Sequence, residues 1–306
     1  MFSSQKLTGF LAGISITCIW ASWTIITRLG LETDLQIYDL MALRLLVATL
    51  LIAPVIFYLK SWRGLNLQQY FALGFMGGVP HTLLAYAALE RTSVAQFSII
   101  LYGITPVATA LAGYLLVRKS IDKNQLTGAL LIILGILALG FEEMSHGLNN
   151  DTWFGNMMAL VSVILFAGYL VFADRWKITI SHSLIACTVL NGIIYFPIWA
   201  YFRGAEALQI DPSELLIQGG FQGIIPGIVS FYVMTLATQR IGANMTSLFF
   251  ALIPVASAGL AVMILGEALT SNILIGLFLT TLGIVVCSVD WKKLRIKKAS
   301  TVPSAS

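Results

Sequence analysis

Long apolar runs separated by short polar segments follow one another along almost the entire chain. Ten of these runs approach or exceed the roughly 20 residues that a helix needs to cross a hydrocarbon core about 30 Å thick. The pattern predicts an all-α integral membrane protein whose ten transmembrane helices leave no room for a soluble domain. These helices are predicted at 7–29, 38–59, 68–89, 93–117, 125–141, 153–173, 181–202, 215–237, 242–265 and 272–290.

The composition of the chain is also that of a membrane protein. Of 306 residues, 58% are hydrophobic and 10% are charged, with a mean hydropathy of +0.88, whereas a soluble domain carries about 25% charged residues. The three cysteines, Cys18, Cys187 and Cys287, fall in different predicted helices and match neither a metal site nor a disulfide framework. The sequence therefore predicts no metal, no cofactor and no nucleic-acid partner.

Two segments of the chain repeat each other. Residues 95–139 align without a gap with residues 243–287 at an offset of 148, with roughly a dozen identities. The aligned identities include Pro106 with Pro254, Gly128 with Gly276, and Gly135 with Gly283. One aligned position reverses its charge, because Lys119 stands opposite Glu267. The repeat therefore keeps its packing residues while changing the charge near the end of its fourth helix.

The basic residues predict the orientation of the helices. With the N-terminus in the cytoplasm, 14 of the 18 Lys and Arg residues fall in cytoplasmic segments, and only Arg91 and Arg203 fall in outside loops. This bias follows the positive-inside rule, so the chain is predicted to cross the inner (plasma) membrane many times with both termini in the cytoplasm. Each half has an odd number of helices, five, so the second half enters from the opposite face.

The chain thus divides into a first five-helix repeat at 1–141, a second, inverted five-helix repeat at 153–290 and a basic cytoplasmic tail at 291–306. Inverted repeats are typical of alternating-access carriers, in which the solute binds near the bilayer midplane between the repeats. Duplication also builds channels and membrane enzymes. The organisation alone therefore favours transport without excluding these two alternatives.

Several short strings resemble the drug/metabolite transporter superfamily, in particular its ten-helix EamA-type members. The strings are Trp20-Ala-Ser-Trp23, Ala42-Leu43-Arg44, Tyr86-Ala87-Ala88-Leu89, the segments around Pro106 and Pro254, and Gly266-Glu267. Lys119 departs from the family pattern, because first halves often carry a glutamate there. The resemblance implies a secondary transporter that exports small metabolites such as amino acids, with no enzymatic activity.

Glycine and proline mark the helices that we expect to bend. Proline removes one helical hydrogen bond, and glycines four residues apart let neighbouring backbones approach closely. Helices three and eight combine several glycines with a proline, and helices four and nine each carry a proline at matched positions. The predicted hinges are Pro80, Pro106, Pro226 and Pro254.

Polar and aromatic residues within the helices predict the solute cavity. Thr17, Trp20, Thr24 and Thr27 share one face of helix one, while Trp23 suits the membrane interface better than Trp20 does. No acidic residue lies near the middle of a predicted helix, so small neutral or zwitterionic solutes are favoured. The residues predicted to line the cavity are Trp20, Thr24, Arg44, His81, Tyr86, Gln96, Tyr102, Tyr169, Tyr232, Asn244 and Phe250, with Asn191 as a further polar group.

Two of these residues carry alternative interpretations. Arg44 could extend to the outer interface, reach Glu267 or Glu90, or contact the solute. His81 could be a hydrogen-bonded core residue or, because histidine titrates near neutral pH, a proton carrier. A channel or facilitative pore for small neutral solutes remains the main functional alternative to a carrier, with a membrane enzyme a weaker one. The predicted partners are a small solute and the lipid bilayer, and the protein is expected to be a monomer or a homodimer.

Overall fold

The computed structural model describes residues 4–60, 62–145 and 150–288. Within these ranges ten helices are long and apolar enough to cross a membrane, which confirms the predicted all-α membrane fold. The predicted tail at 291–306 lies outside the described residues. The helices are α1 Ser4–Leu31, α2 Ile37–Leu59, α3 Leu67–Arg91, α4 Val94–Val117, α5 Lys123–Ser145, α6 Asn150–Arg175, α7 Ile180–Ala207, α8 Pro212–Ile241, α9 243–265 and α10 Ser271–Ser288.

Four of these helices are interrupted or locally widened. Helix α3 breaks into Leu67–Gly77 and Val79–Arg91, directly before Pro80. Helix α8 contains a π-helical segment, Ile225–Val229, which includes Pro226. Helix α9 consists of Ala243–Ala251, Ile253–Leu260 and the π-helical Ala261–Leu265, and α7 contains the π-helical Ile185–Leu190.

The break expected at Pro106 is absent, because α4 is helical without interruption from Val94 to Val117. Its repeat equivalent, Pro254, instead directly follows the point where α9 is interrupted. A proline inside a helix removes only its own N–H and can be accommodated by a small distortion. Aligned prolines therefore did not produce equal interruptions in the two repeats.

The fourth helix of each half ends in the same way. Arg118 and Gly266 follow α4 and α9 in the left-handed conformation, with φ values of 56° and 68°. The next residue then donates its N–H back to a carbonyl six positions earlier, at 3.0 Å for Lys119 to Gly113 and 3.2 Å for Glu267 to Ala261. Lys119 and Glu267 consequently occupy equivalent backbone positions with opposite charges.

Helices α5 and α10 cross through glycines that face one another. A Cβ atom added to Gly128 would lie 2.5 Å from the Gly283 carbonyl oxygen, and one added to Gly135 would lie 3.0 Å from the Gly276 carbonyl oxygen. In the repeat alignment Gly128 is equivalent to Gly276, and Gly135 to Gly283. The Gly128–Gly283 contact is therefore the symmetry equivalent of the Gly135–Gly276 contact. The two helices are thus antiparallel and symmetric, which is the arrangement that an inverted repeat requires.

The remaining helices pack across the sequence halves rather than within them. Helix α6 lies against α3 and α4, and α7 packs against both α3 and α2. In the equivalent way, α1 lies against α8 and α9, and α2 contacts α8. We call the first group, α3, α4, α6 and α7, body A, and the second, α1, α2, α8 and α9, body B. Each body contains helices from both sequence halves.

The two ends of the bundle are packed differently. We call the end where α1 begins and α10 ends the terminal face, and the opposite end the distal face. At the distal end, 25 buried residues form one continuous apolar cluster, the distal seal, which includes Trp23, Leu40, Tyr86, Phe97 and Ala258. Toward the terminal face, the buried residues divide into four separate clusters of three to five residues each. Among the described residues, the continuous apolar packing therefore lies at the distal end, and the packing toward the terminal face is divided into smaller clusters.

Candidate functional site

Arg44 of α2 is the ionisable side chain around which the candidate site is built. Its guanidinium lies beside the Tyr86 hydroxyl and within electrostatic range of His81 and Tyr102, which belong to α3 and α4 of body A. The side chain is partly exposed, and it pairs with no carboxylate among the described residues. The structure thus places an unneutralised positive charge between the two bodies.

The acidic partners considered for Arg44 are engaged elsewhere. Glu90 pairs with Arg91 at 2.5 Å, and Glu267 accepts hydrogen bonds from the backbone N–H groups of Val94 and Ala95. Arg44 itself lies beside the interior Tyr86 hydroxyl. The alternatives in which Arg44 pairs with Glu90 or Glu267 are therefore wrong, and its extension to the interface stays a prediction.

His81 ties α3 to α6 and offers one free ring nitrogen. Its Nδ1 lies 3.0 Å from the Ser162 carbonyl oxygen and 2.8 Å from the Ser162 Oγ, which in turn donates to the His81 carbonyl at 3.0 Å. The ring stacks on Phe166 at 4.8 Å. If Nδ1 donates its proton to the Ser162 carbonyl, Nε2 is a hydrogen-bond acceptor, and no described residue occupies it.

Two aromatic side chains adjoin this polar group. The Tyr102 hydroxyl donates to the Trp20 carbonyl at 3.4 Å, so α4 of body A meets α1 of body B at this depth. The Trp20 ring packs edge to face on Trp23 at 5.8 Å. Trp20 and Tyr102 are both partly exposed.

Trp23 belongs to the interior and not to the membrane interface, contrary to the prediction. It is 3% exposed, and its Nε1 donates to the Gln222 Oε1 at 3.0 Å. The Tyr86 hydroxyl donates to the same oxygen at 3.2 Å, and the Gln222 Nε2 donates to Thr27 Oγ1 at 2.9 Å. A single buried amide of α8 therefore joins α1 to α3 inside the distal seal.

Gln222 was missed by the sequence analysis. The available signal was a pair of glutamines one helical turn apart, Gln218 and Gln222, in an otherwise apolar and glycine-rich segment of α8. Polar amides in a transmembrane helix need partners. Gln218 has one in the Ile26 carbonyl, to which it donates at 2.8 Å.

Thr24 does not line the site, contrary to the prediction. It is fully buried, and its hydroxyl donates to the Ala21 carbonyl of its own helix at 2.7 Å. Thr17 on the same face donates to the Phe249 carbonyl of α9 at 2.8 Å. The polar stripe of α1 thus serves packing within body B, in the way that threonine commonly satisfies itself on helix backbones.

The other predicted cavity residues are dispersed. Tyr232 is 63% exposed on the bundle surface, so it does not line an interior site as predicted. Tyr169 is buried and donates to Ser183 Oγ at 2.9 Å, and Gln96 donates to Asn156 Oδ1 at 3.3 Å. Phe250 packs with the cluster shared by α1 and α8. The side chain of Asn244 lies outside the described residues.

Asn191 of α7 bridges the break in α3. Its Nδ2 donates to the Gly74 carbonyl at 3.1 Å and to the Ala186 carbonyl at 2.6 Å, and its Oδ1 accepts from the Val79 N–H at 3.4 Å. These are the backbone groups that lose helical partners at the break and in the π-helical segment. The amide therefore satisfies polar backbone that would otherwise be unpaired in an apolar environment.

Two adjoining pockets lie along the seam between α3 and α7. Their volumes are about 270 and 340 Å³, and both are bounded by Tyr195 and Ile198. Most other lining residues are apolar, with Asn191 in the first pocket and Arg203 in the second, and they include the exposed Phe75 and Phe202. The pockets open on the apolar outer surface of the bundle, and Arg44 is not part of either lining.

Metal chemistry has no evident location in this part of the chain. Among the described residues, no three His, Cys, Asp or Glu side chains are arranged so that they could hold a metal ion.

The fold and the site together define a multi-pass integral membrane protein with an interior polar group between two packed bodies. The EamA-like transporter family model matches residues 7–141 and 153–289. The chain therefore belongs to the EamA-like transporter family.

Relatives of this chain extend over nearly its full length. An uncharacterized transporter of Bacillus subtilis, YetK, is 23% identical over 94% of this chain and 89% of its own. A WAT1-related protein of Arabidopsis thaliana, At5g13670, is 23% identical over 98% of this chain and 89% of its own. A solved crystal structure is 17% identical, covers 97% of this chain and 100% of its own, and has a TM-score of 0.64. This last likeness supports the fold alone.

Proposed function

We propose that the protein is an inner-membrane secondary transporter that exports a small zwitterionic metabolite, such as an amino acid, by alternating access. The observation that carries the proposal is the position of Arg44. Its unpaired guanidinium lies between bodies A and B, beside Tyr86 of the distal seal. An interior charge without a counter-ion destabilises a membrane protein, so it is seldom present without a function. Interior ionisable residues of membrane proteins commonly mark solute pathways.

The chemistry around Arg44 suits a solute with a carboxylate and an amine. The guanidinium can bind a carboxylate through two parallel hydrogen bonds. The free Nε2 of His81 can accept a hydrogen bond from an ammonium group, and the faces of Trp20 and Tyr102 can cover an apolar side chain or interact with a positive charge. A mostly apolar site with a few convergent polar groups is the usual construction of small-molecule sites.

The packing supports a mechanism in which bodies A and B move relative to each other. In this proposal the terminal face is cytoplasmic, so closure at the distal face makes the structure an inward-facing conformation. The break at Pro80 in α3, the π-helical segment at Pro226 in α8 and the interruption before Pro254 in α9 are the positions at which the helices can bend. The symmetric α5–α10 pair would remain as a scaffold.

The distal seal favours a carrier over a channel. A channel needs a continuous polar path through both faces, whereas here the buried apolar residues are continuous across the distal half. An enzymatic alternative has no support from the family, whose relatives are named as transporters. The proposed mechanism uses helices of one chain, so it is the same for a monomer and for a homodimer.

Counterflow in proteoliposomes tests the proposal. Purified protein would be reconstituted into vesicles that are preloaded with single unlabelled amino acids, and entry of the labelled solute would be followed. We expect saturable entry that preloading accelerates for at least one amino acid. Unsaturable entry without acceleration would indicate a channel.

The role of Arg44 is tested in the same assay. Arg44→Gln should raise KM at least tenfold, and Arg44→Lys should restore part of the affinity, because lysine keeps the charge but not the planar fork. Arg63→Gln, an equivalent change at an exposed terminal-face position, is the matched control and should transport like the wild type. Normal KM in Arg44→Gln would contradict the assignment.

A further inference from the structure

The short turn between α3 and α4 lies at the distal face and is held from both sides by body B. It joins the C-terminus of α3, with its unpaired carbonyl groups, to the N-terminus of α4, with its unpaired N–H groups. Both helices belong to body A. The groups that satisfy these ends therefore determine whether body A stays in contact with body B.

Arg28 of α1 holds the α3 side of the turn. Its Nη1 donates to the carbonyl oxygens of Leu89, Glu90 and Thr92 at 2.5, 3.2 and 3.3 Å. A positive charge at a helix C-terminus also interacts favourably with the helix dipole. This contact joins α1 of body B to the end of α3.

Glu267 holds the α4 side of the turn. It follows α9 of body B, and its two carboxylate oxygens accept from the N–H groups of Val94 and Ala95 at 2.8 and 3.4 Å. The carboxylate acts as a cap on a helix in the other body, and it complements the hydroxyl of Ser93, the local N-cap residue, which accepts from the Gln96 N–H. Hydrogen bonds from backbone N–H groups to a charged acceptor are stronger than neutral ones.

The equivalent position at the terminal face cannot form this contact. The repeat places Lys119 where Glu267 stands, and Gly242 and Ala243 where Val94 and Ala95 stand. Lys119 is exposed, and a lysine ammonium has no acceptor for an N–H group. Its positive charge would also oppose the positive end of the α9 dipole.

We propose that Glu267 is the latch of the distal gate, and that the lysine at its twin position leaves the terminal gate without one. The latch would open on every cycle, when the end of α9 moves away from α4. The charge reversal would therefore bias the resting protein toward the conformation that is closed at the distal face. This inference rests on the proposed alternating-access function for its role in a cycle.

A buried reporter can measure the opening of the distal gate. Ser98 of α4 is fully buried in the distal half, and Ser98→Cys is a nearly isosteric change. In right-side-out vesicles or whole cells, the distal face is exposed to the outer solution. A membrane-impermeant thiol reagent that is added there should modify the cysteine at position 98 only when the gate opens. The same chain without the Ser98 change corrects for labelling of Cys18, Cys187 and Cys287.

Three variants in this reporter background test the latch. Glu267→Gln should increase the labelling rate about tenfold, which corresponds to the loss of a charge-assisted hydrogen bond. Lys119→Glu should also increase it, because it supplies the terminal face with a matching latch. Asp34→Asn is the control: this exposed distal carboxylate lies in the turn between α1 and α2, both of body B, so labelling should not change.

The outcomes separate the latch from the transport proposal, because labelling requires no solute. If Glu267→Gln and Lys119→Glu both label at the reference rate, the latch is wrong, whatever the counterflow assay shows. If Glu267→Gln fails to fold, as judged by size-exclusion chromatography, Lys119→Glu alone decides, since its change lies at the opposite face. Faster labelling in Asp34→Asn as well would mean that any loss of distal charge opens the gate, and would overturn the specific role of Glu267.

Discussion

Asp39 and Arg203 form a buried ion pair between α2 of body B and α7 of body A. The Asp39 carboxylate is completely buried, and its Oδ2 lies 2.9 Å from the Arg203 Nη2. It also accepts from the Trp199 Nε1 at 2.8 Å and from the Gln36 backbone N–H at 2.9 Å. The pair therefore fastens the two bodies at the distal face, in addition to the contacts of Arg28 and Glu267.

Removing Arg203 should destabilise the protein strongly. In Arg203→Leu the Asp39 carboxylate would stay buried without its counter-ion, and breaking a buried pair in this way costs about 3–5 kcal/mol. We expect a clear fall in the thermal denaturation midpoint in detergent. Lys177→Ala is the control, because the exposed Lys177–Asp174 pair is worth about 1 kcal/mol or less. Equal midpoints for the two variants would contradict a structural role for the buried pair.

The glycines at the α5–α10 crossing should not tolerate a side chain. A Cβ atom on Gly128 would lie 2.4 Å from Cys287 Sγ and 2.5 Å from a backbone oxygen, so Gly128→Ala must push the helices apart. We expect a loss of stability of about 1–3 kcal/mol, as for other overpacked sites. Gly140→Ala on the same helix meets nothing within 4 Å and should be neutral or slightly stabilising. Thermal denaturation of both variants in one detergent measures the difference.

Asn191 should be required for the break in α3. Asn191→Ala removes the donor to the Gly74 and Ala186 carbonyls and the acceptor for Val79. Each buried group left unpaired costs about 1–3 kcal/mol. We expect lower stability and faster proteolysis of the variant than of Asn66→Ala, which removes only an exposed N-cap hydrogen bond worth about 1 kcal/mol. Similar stability and proteolysis of the two variants would show that the backbone groups at the break find hydrogen-bond partners without Asn191.

The helix positions, the repeat and the break beside Pro80 could be predicted from sequence because they depend on local patterns. Apolar run length gives the spans, and the 148-residue offset gives the repeat. The π-helical segment Ile185–Leu190 could not be predicted in this way, because it contains neither proline nor glycine. Its widening accompanies the tertiary contact of Asn191 with the Ala186 carbonyl.

The site was harder to predict because its partners are distant in sequence. Arg44 and His81 could be singled out, since ionisable groups in apolar helices are rare. The burial of Trp23 could not be predicted, because the periodicity of a helix shows which residues share a face but not which other helix packs against that face. Its partner Gln222 is 199 residues away. The packing of helices from both sequence halves into each body could not be predicted either, because the repeat shows which segments are similar but not which segments are in contact.

Trp20 and Trp23 should therefore fail in different ways when they are replaced by alanine. Trp23→Ala removes a buried ring and the donor to the Gln222 Oε1, so we expect a loss of stability of about 3–5 kcal/mol. Trp20→Ala removes a partly exposed ring beside Tyr102, so we expect normal folding with a raised KM in the counterflow assay. Denaturation midpoints and KM values for both variants separate the two effects. A stable Trp23→Ala protein with impaired transport would place Trp23, rather than Trp20, in the solute site.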